Sequence, residues 1–262
     1  MIRVPVDRGD QWVVNFSDLH VGHPNCRVDI IKRGIEWAKE HDAICIYGGD
    51  WIENSNKQSV GAGWVEQIMP PQKQVDFVVD LFKPIKDRFI GGYIGNHEER
   101  AYRLTGFDPA MQICEKMEMP YFGTEMFAVI SAKDKGGAHG RAYTLYGVHS
   151  GSGHKTSGLA MNQVQRDWSS IHADIKMKSH DHHLSYDTEV TLQFDTSNMV
   201  VNERLQHIVL TGSTLSRPNN YATKKPHMPT RLGFMPIMLN MRRGDSGMRQ
   251  WSVRPCYELA EG

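Results

Sequence analysis

Polar side chains recur at the ends of successive apolar segments, and this order constrains the fold more than any other feature of the sequence. The apolar segments 13–16, 43–47 and 89–94 are typical of short strands. They are followed, respectively, by Ser17-Asp18-Leu19-His20, Gly48-Gly49-Asp50 and Gly95-Asn96-His97. Further along, His149 ends a fourth such segment, and His180 and His182 follow a fifth. Because sites in open α/β sheets gather at the carboxyl ends of strands, we expect these side chains to converge.

The segments between the first strands have helical spacing. Apolar residues recur at roughly helical intervals in 28–41, and 71–85 opens with a proline and closes near Pro84. The second half is mostly strand-like, in 141–148, 175–178, 184–194, 204–210 and 234–241, with one helix near 159–171. This alternation predicts an α/β protein with two facing mixed β-sheets flanked by helices, in a single domain spanning 1–262.

Composition excludes several classes of protein. The 262 residues carry 30 Lys+Arg and 30 Asp+Glu, and a net charge of +0 disfavours broad electrostatic adhesion to nucleic acid or to anionic membranes. No apolar run approaches the roughly 20 residues of a membrane span, and the N-terminus lacks a signal-peptide core, so we expect a cytoplasmic protein without membrane contact. The four cysteines form no CxxC pair, which favours reduced thiols.

The polar clusters have the chemistry of a metal site. Two residues at i and i+2 on an extended segment point to the same side, so Asp18 with His20, and His180 with His182, can each hold one ion. Oxygen and imidazole donors without thiolate suit manganese, iron or zinc. Taken singly, Asp18 or Asp50 can cap a helix or a turn, and His149 can be an ordinary surface histidine. Independent roles of that kind do not predict the same chemistry at five strand ends.

In this order, the blocks resemble the calcineurin-like metallophosphoesterase superfamily. They are Asp18-Leu19-His20, Gly49-Asp50-Trp51-Ile52-Glu53, Gly95-Asn96-His97-Glu98, Gly147-Val148-His149 and Ser179-His180-Asp181-His182. The resemblance runs from about residue 11 to residue 215 and implies the four-layer αββα fold of that superfamily. One departure is visible, because the last block is usually Gly-His-x-His and this chain has Ser179 in place of the glycine.

The resemblance also implies a ligand set for two divalent metal ions. It assigns Asp18, His20 and His182 to one ion, assigns Asn96, His149 and His180 to the other, and makes Asp50 the bridge. It places His97 near the leaving group and implies no ligand role for Glu53 or Glu98, which we expect to support the ligands. Manganese is the favoured ion, with iron, zinc, nickel, cobalt and magnesium as alternatives.

The chemistry implied is hydrolysis of a phosphoester by a hydroxide that bridges the two metals, with His97 assisting the leaving group. Two divalent cations, two carboxylates and the hydroxide leave a net charge of about +1, which attracts a phosphate anion. The protein phosphatase branch of the superfamily typically has two arginines where this chain has Ile94 and Asn54. Without that clamp for a dianion, a phosphodiester is the favoured substrate.

A segment near 213–231 is expected to form a substrate rim. It contains Arg217, Tyr221, Lys224 and Lys225, which can meet phosphates and stack on a base. A nucleotide or nucleic acid, cleaved by a nuclease-like activity, is therefore the favoured substrate, and the sequence indicates no obligate protein partner. The alternatives are a plain solvated loop in place of the rim, a phosphomonoesterase acting on a nucleotide or a phosphoprotein, and a non-catalytic scaffold. All expected ligand positions are filled, which favours an enzyme over a scaffold.

Overall fold

A computed structural model describes residues 1–7, 9–57, 59, 63–132, 142–150, 153–216, 230–241 and 252–261. In chain order the strands are β1 (Ile2–Val6), β2 (Asp10–Phe16), β3 (Ile44–Tyr47), β4 (Phe89–Gly92), β5 (Glu125–Ala132), β6 (Ala142–His149), β7 (Ile175–Ser179), β8 (Leu184–Asp195), β9 (Val200–Ser213), β10 (Leu232–Phe234), β11 (Ile237–Asn240), β12 (Val253–Pro255) and β13 (Ala260–Glu261). The helices are α1 (Val28–Glu40), α2 (Gly63–Glu66), α3 (Pro71–Phe82), α4 (Asn96–Thr105), α5 (Pro109–Lys116) and α6 (Ser157–Asp167).

The strands form two mixed sheets. The smaller has the order β12-β11-β2-β3-β4, and the larger has the order β1-β5-β6-β7-β9-β10-β13, with β8 also paired to β9. In the smaller sheet β2, β3 and β4 are parallel, and in the larger sheet β6, β7 and β9 are parallel. The predicted α/β class with two facing mixed sheets is therefore confirmed.

The hydrophobic core has three layers of contacts, and alternate residues of β2 show how they arise. Val14 and Phe16 pack on the helix side of the smaller sheet, with Ile31 of α1 and Phe82 of α3. Val13 points the other way into the layer between the sheets. A third cluster joins α6 to the outer face of the larger sheet. Because side chains alternate across a strand, one apolar segment serves two layers, and the helices flank the sheets as predicted.

Several predicted elements are confirmed with shifted ends. The helix predicted for 71–85 begins at Pro71 as expected but ends at Phe82, and a 3₁₀ turn covers Lys83–Arg88. Pro84 lies in the first turn of that segment, where the absent N–H of a proline costs nothing. The sequence patterns did not indicate β1, β5, α4 or α5.

The segment predicted as one strand-like run, 234–241, is divided between the sheets. Phe234 ends β10 in the larger sheet, and Ile237 begins β11 in the smaller one. Between them, Met235 and Pro236 carry the chain across, and proline lacks the N–H that a continuous ladder would need. This crossover links the two sheets directly.

In the part of the chain described here, no helix combines the length and apolar character needed to cross a bilayer.

Candidate metal centre

The carboxyl ends of the parallel strands bring the predicted polar blocks together. Asp18 and Asp50 follow β2 and β3, and Asn96 follows β4 at the first position of α4. From the larger sheet, His149 is the last residue of β6, and His180 follows β7. Since these strands are parallel within each sheet, their ends meet at one edge of the two-sheet stack.

The site residues stand on unusual backbone. The φ angles are 53° at Asp18, 53° at His20, 52° at Asp50, 93° at His180 and 57° at His182, all in the left-handed region. Residues other than glycine rarely adopt this region, and the strain persists where neighbouring structure over-determines it. The Asp18 carbonyl, for example, accepts hydrogen bonds from Ser213 Oγ at 2.8 Å and from the Thr214 amide at 3.2 Å.

Close packing behind the site requires a glycine at position 49. Its φ is 78°, and a side chain there would place a Cβ 2.6 Å from the Gly95 amide nitrogen and 2.9 Å from His149 Nδ1. Both distances are shorter than a carbon atom tolerates. Gly49 therefore allows the β3 and β4 ends to approach His149.

Asp18, His20 and His182 form a first group whose donor atoms lie close enough to hold an ion. His182 Nε2 lies 3.0 Å from His20 Nε2 and 3.3 Å from Asp18 Oδ1. Two donors at right angles, each about 2.1 Å from one ion, would be about 3 Å apart. Asp18 Oδ1 is buried and has no hydrogen-bond partner in the described part of the chain. A cation would satisfy it.

Asp50, His149 and His180 form a second such group, and Asn96 adjoins it. His149 Nε2 lies 3.2 Å from Asp50 Oδ2 and 3.1 Å from Asn96 Oδ1. Its other nitrogen, Nδ1, lies 3.0 Å from the Gly48 carbonyl and donates to it, because a carbonyl only accepts. The hydrogen bond fixes the ring so that Nε2 faces the centre, as in histidines that bind metals.

Electrostatics at the centre favour a positive charge. Burial alone would lower the pKa of His149, but Asp50 and Asp18 outweigh it and raise that pKa to about 10. Burial alone would likewise raise the pKa of Asp18, but His149 and His182 lower it to about 2. Two buried carboxylates thus attract a proton to His149, and a metal ion would compete for the same position.

Asp50 lies between the two groups. It also belongs to a third cluster with His20 and His97, so its carboxylate borders donors from both predicted ligand sets. Asp50 Oδ1 accepts a hydrogen bond from the His97 amide at 2.8 Å, and Oδ2 faces His149. This position is the one that a bridging ligand would need.

His97 is oriented by Glu53. Its Nδ1 donates to the Glu53 carbonyl at 2.6 Å, and its Nε2 lies 3.8 Å from Asp50 Oδ2. Burial lowers the pKa of His97 to about 4, so the ring is neutral near neutral pH. The arrangement leaves Nε2 as the atom that faces the centre.

Glu53 and Glu98, predicted to support the ligands, make defined contacts. The Glu53 carboxylate accepts from His20 Nδ1 at 3.1 Å, which turns His20 Nε2 to the centre. The Glu98 carboxylate accepts hydrogen bonds from the backbone amides of Asp50 and Trp51, each at 2.9 Å. Burial and the nearby Asp50 raise the pKa of Glu98 to about 7. Each carboxylate thus holds a different segment of the site in place.

The backbone at Ser179, which replaces the usual glycine, has a conformation that residues other than glycine readily adopt. Ser179 ends β7 outside the left-handed region, which the chain enters at His180. Its hydroxyl accepts a hydrogen bond from Thr211 Oγ1 at 3.1 Å and lies 3.4 Å from the Tyr93 hydroxyl. The serine therefore joins a buried polar network beneath the site.

Sequence reasoning missed a polar cluster beside the last block. Asp181 forms a buried ion pair with Lys178 and accepts from His154 through both the amide, at 2.7 Å, and Nδ1, at 3.0 Å. His183 Nε2 donates to the His154 carbonyl at 3.1 Å. The run Asp181-His182-His183 was the available signal, but nothing local to it indicates that residue 154 is its partner.

The predicted rim residues Arg217, Tyr221, Lys224 and Lys225 lie outside the described residues. The chain leading to them is close to the centre, since Thr214 Oγ1 donates to the Leu19 carbonyl at 3.0 Å.

No family model matches the sequence, and none of the curated proteins matches it. Similar solved structures include the phosphoesterase YfcE from E. coli, at 11% identity and a TM-score of 0.41, covering 92% of this chain and 98% of that one. The calcineurin-like phosphoesterase YfkN from Bacillus subtilis matches at 12% identity and a TM-score of 0.39, covering 97% and 93%. A protein of Streptococcus pneumoniae TIGR4 described as a predicted phosphoesterase matches at 11% identity and a TM-score of 0.35, covering 94% and 98%. At TM-scores this low, these likenesses do not assign the chain to a family.

Proposed function

We propose that the protein is a two-metal-dependent phosphoesterase that hydrolyses a phosphodiester. The observation that carries this proposal is the arrangement of Asp18, His20 and His182 on one side and of Asp50, His149 and His180 on the other, with Asp50 bordering both groups. The donor set contains oxygen and imidazole nitrogen without thiolate, which suits manganese and related ions. Bound there, two divalent ions would activate a water for attack on phosphorus and stabilise the phosphate oxygens.

The chain's own residues would orient this chemistry. Glu53 turns His20 to the centre, and the Gly48 carbonyl does the same for His149. We propose that His97 assists the leaving group through Nε2, because the Glu53 carbonyl occupies its Nδ1. The buried carboxylates of Asp18 and Asp50 supply the negative charge that holds the cations.

Two positions support a diester over a monoester. Ile94, where the protein phosphatase branch typically has an arginine, is buried in the apolar core. Asn54, at the other position, is buried and donates from Nδ2 to the His97 carbonyl at 2.6 Å. Neither can clamp a dianionic phosphate, as a pair of arginines would.

A hydrolysis panel in manganese tests the proposal. It would compare an aryl phosphodiester, the matching aryl monoester, cyclic nucleotides, and single- and double-stranded DNA and RNA, with the bound metal measured in the same sample. We expect kcat/KM for the aryl diester to exceed that for the monoester at least about tenfold, a difference of about 1.4 kcal/mol in transition-state binding. A preference for the monoester would identify a phosphomonoesterase instead. A metal-loaded protein inactive on every substrate would favour the scaffold.

The nucleotidic substrate rests on the rim of Arg217, Tyr221, Lys224 and Lys225. Replacing both lysines with alanine should raise KM for a nucleotidic substrate and leave the small aryl diester nearly unchanged, because only the larger substrate reaches the rim. The control is Lys32→Ala together with Lys39→Ala, which removes the same charge from α1. Equal effects on both substrates, or none, would count against a nucleotidic substrate.

A further inference from the structure

The antiparallel hairpin of β8 and β9 extends beyond the larger sheet. The strands pair along their whole length, from Leu184 opposite Thr211 to Asp195 opposite Val200. On its other side, β9 pairs with β7 only from His207 to Leu210. Among the described strands, the outer part of the hairpin, 189–195 with 200–206, therefore has no third neighbour. We call this outer part the arm.

The two faces of the arm differ in chemistry. Residues directly opposite each other in an antiparallel pair share a face. On one face lie the pairs Val190 with Leu205, Leu192 with Glu203, and Phe194 with Val201. On the other face lie the pairs Thr191 with Arg204 and Gln193 with Asn202. One face is therefore mostly apolar, and the other is polar.

The apolar face continues the core that lies between the sheets. Nearer the base of the hairpin, Tyr186 and Val209 are paired on the same face, and both contact the inter-sheet core. There the smaller sheet covers the face, and the Tyr186 hydroxyl reaches the Val253 carbonyl at 3.4 Å. Further out, within the described part of the chain, Val190 is 56% exposed, Leu192 60% and Phe194 76%. The outer part of β8 thus keeps the alternation of apolar and polar residues that is typical of a buried strand, although the smaller sheet does not extend over it.

We propose that the apolar face of the arm packs against the same face of a second copy of this chain, around a two-fold axis. A contact of this kind is isologous, so one surface serves as both halves of the interface. Two β-sheet faces that bury apolar side chains against each other pack about 10 Å apart, as in a sandwich. The arm would then repeat between copies the sheet-on-sheet packing that the base of the hairpin makes within one copy.

The exposed area is sufficient for such a dimer. With about 120 to 200 Å² for a fully exposed apolar side chain, the five apolar residues of the face offer on the order of 400 Å² per copy. Backbone and flanking side chains add to this, so two copies reach the roughly 1,000 Å² that marks a specific interface. Scattered exposed apolar residues are ordinary, but a contiguous face of this kind is typical of an interaction site.

The net charge does not oppose the association. The chain has a formal net charge of +0, so two copies do not repel each other over long range near neutral pH. Glu203, on the apolar face, belongs to the β9 side of the arm, where no further described strand pairs with it, so its carboxylate can reach water at the rim of the interface.

The test is the oligomeric state of the full chain, measured by sedimentation velocity from about 1 to 100 µM in reductant and without substrate. We expect a reversible dimer that persists in about 0.5 M NaCl, where exposed ion pairs are screened. The double variant Leu192→Glu, Phe194→Glu should raise the dissociation constant at least about 100-fold, because it places charges in the apolar contact. The matched control Gln193→Glu adds the same kind of charge on the opposite face and should remain dimeric.

Folding of each variant is checked by its thermal unfolding midpoint, and the milder Phe194→Ser serves if the double variant unfolds. A wild-type monomer throughout the concentration range would overturn the proposal, whether the face is covered by another segment of the same chain or by a different protein. A dimer that the double variant leaves intact would overturn it too. Because no metal or activity is measured, the result is independent of the proposed hydrolysis.

Discussion

Asp50 is the residue whose geometry most directly supports a shared metal site. Its Oδ2 faces His149, its Oδ1 accepts from the His97 amide, and its backbone is left-handed at φ 52°. Its position is therefore set by its own peptide and by its contacts with His97 and His149. Changes at Asp50 should therefore affect both groups of donors together.

We predict that Asp50→Ala loses at least one metal ion and most of the activity. The loss should exceed the roughly 10- to 100-fold that removal of a residue orienting a ligand usually causes. Metal content by elemental analysis and the rate on an aryl diester would be measured on one preparation. Asp42→Ala is a matched control, since Asp42 is also left-handed at φ 49° but exposed and remote from the donor groups. Full activity of Asp50→Ala, or of chelated wild type, would contradict a two-metal mechanism.

His97 should affect rate and not metal content. We predict that His97→Ala retains its metals and loses about 10²- to 10⁴-fold in rate with a poor leaving group, because protonation of the departing oxygen is lost. A nitrophenolate leaving group needs less assistance, so its loss should be smaller. His172→Ala, at an exposed histidine, is the control. Loss of metal from His97→Ala would instead make His97 a ligand, as its proximity to His20 and Asp50 permits.

At the scale of elements, the first turn of α4 connects β3 to the site. Glu98 uses both carboxylate oxygens, Oε2 for the Asp50 amide and Oε1 for the amides of Trp51 and Ile52. The contact joins segments 46 to 48 residues apart. The helix therefore holds the peptide whose left-handed turn presents Asp50.

We predict that Glu98→Gln lowers both stability and metal affinity. A glutamine side chain has one acceptor oxygen where Glu98 uses two, so at least one buried amide loses its partner, at a cost of about 1 to 3 kcal/mol. Chemical denaturation would give the stability, and a titration with Mn²⁺ would give the affinity. Glu99→Gln, the next residue of α4, removes a carboxylate that pairs with Arg103 at the surface and should change little. Equal effects of the two substitutions would argue against this role for Glu98.

At the scale of the whole molecule, contacts between the sheets involve a buried histidine. His207 in β9 is 3% exposed, and its Nδ1 lies 2.6 Å from the Tyr186 hydroxyl. Tyr186 in turn reaches the Val253 carbonyl of the smaller sheet. Burial lowers the pKa of His207 from its ordinary value of 6.5 to about 4, although Asp174 acts in the opposite direction.

This shift predicts a loss of stability in mild acid. Between pH 6.5 and about 4, His207 is protonated in the unfolded chain and neutral in the folded chain. Protonation therefore favours the unfolded chain, and the free energy of unfolding falls as the pH drops from 6.5 towards about 4. The loss should amount to about 3 kcal/mol, and His207→Gln should remove it. Denaturation curves over this pH range would measure it, with the exposed His172→Gln as control. If His207→Gln kept the full pH dependence of the wild type, His207 would not be its source.

The strand ends, the parallel strands β2 to β4 and helix α1 could be predicted because each depends on a pattern within one short segment. Apolar periodicity identifies each element. Because the carboxyl ends of parallel strands lie at the same edge of a sheet, Asp18, Asp50 and Asn96, which follow β2, β3 and β4, are expected at one edge. The oxygen and imidazole donors that a metal site would use followed from residue identity alone. The sequence also showed that Ser179 replaces the usual glycine of the last block. It did not indicate the buried polar network with Thr211 and Tyr93 that accommodates the serine.

The remaining features depend on which surfaces meet, and local patterns do not contain that information. Tertiary structure decided that Glu98 holds the peptide of Asp50, that Asp181 joins Lys178 to His154, and that the chain changes sheets at Pro236. It also decided how far the smaller sheet covers β8 and β9. The alternation of Tyr186, Val190 and Phe194 is the same along the strand, but the described residues of one copy cover only its beginning. Periodicity specifies which side chains need burial, whereas packing between distant segments decides what buries them.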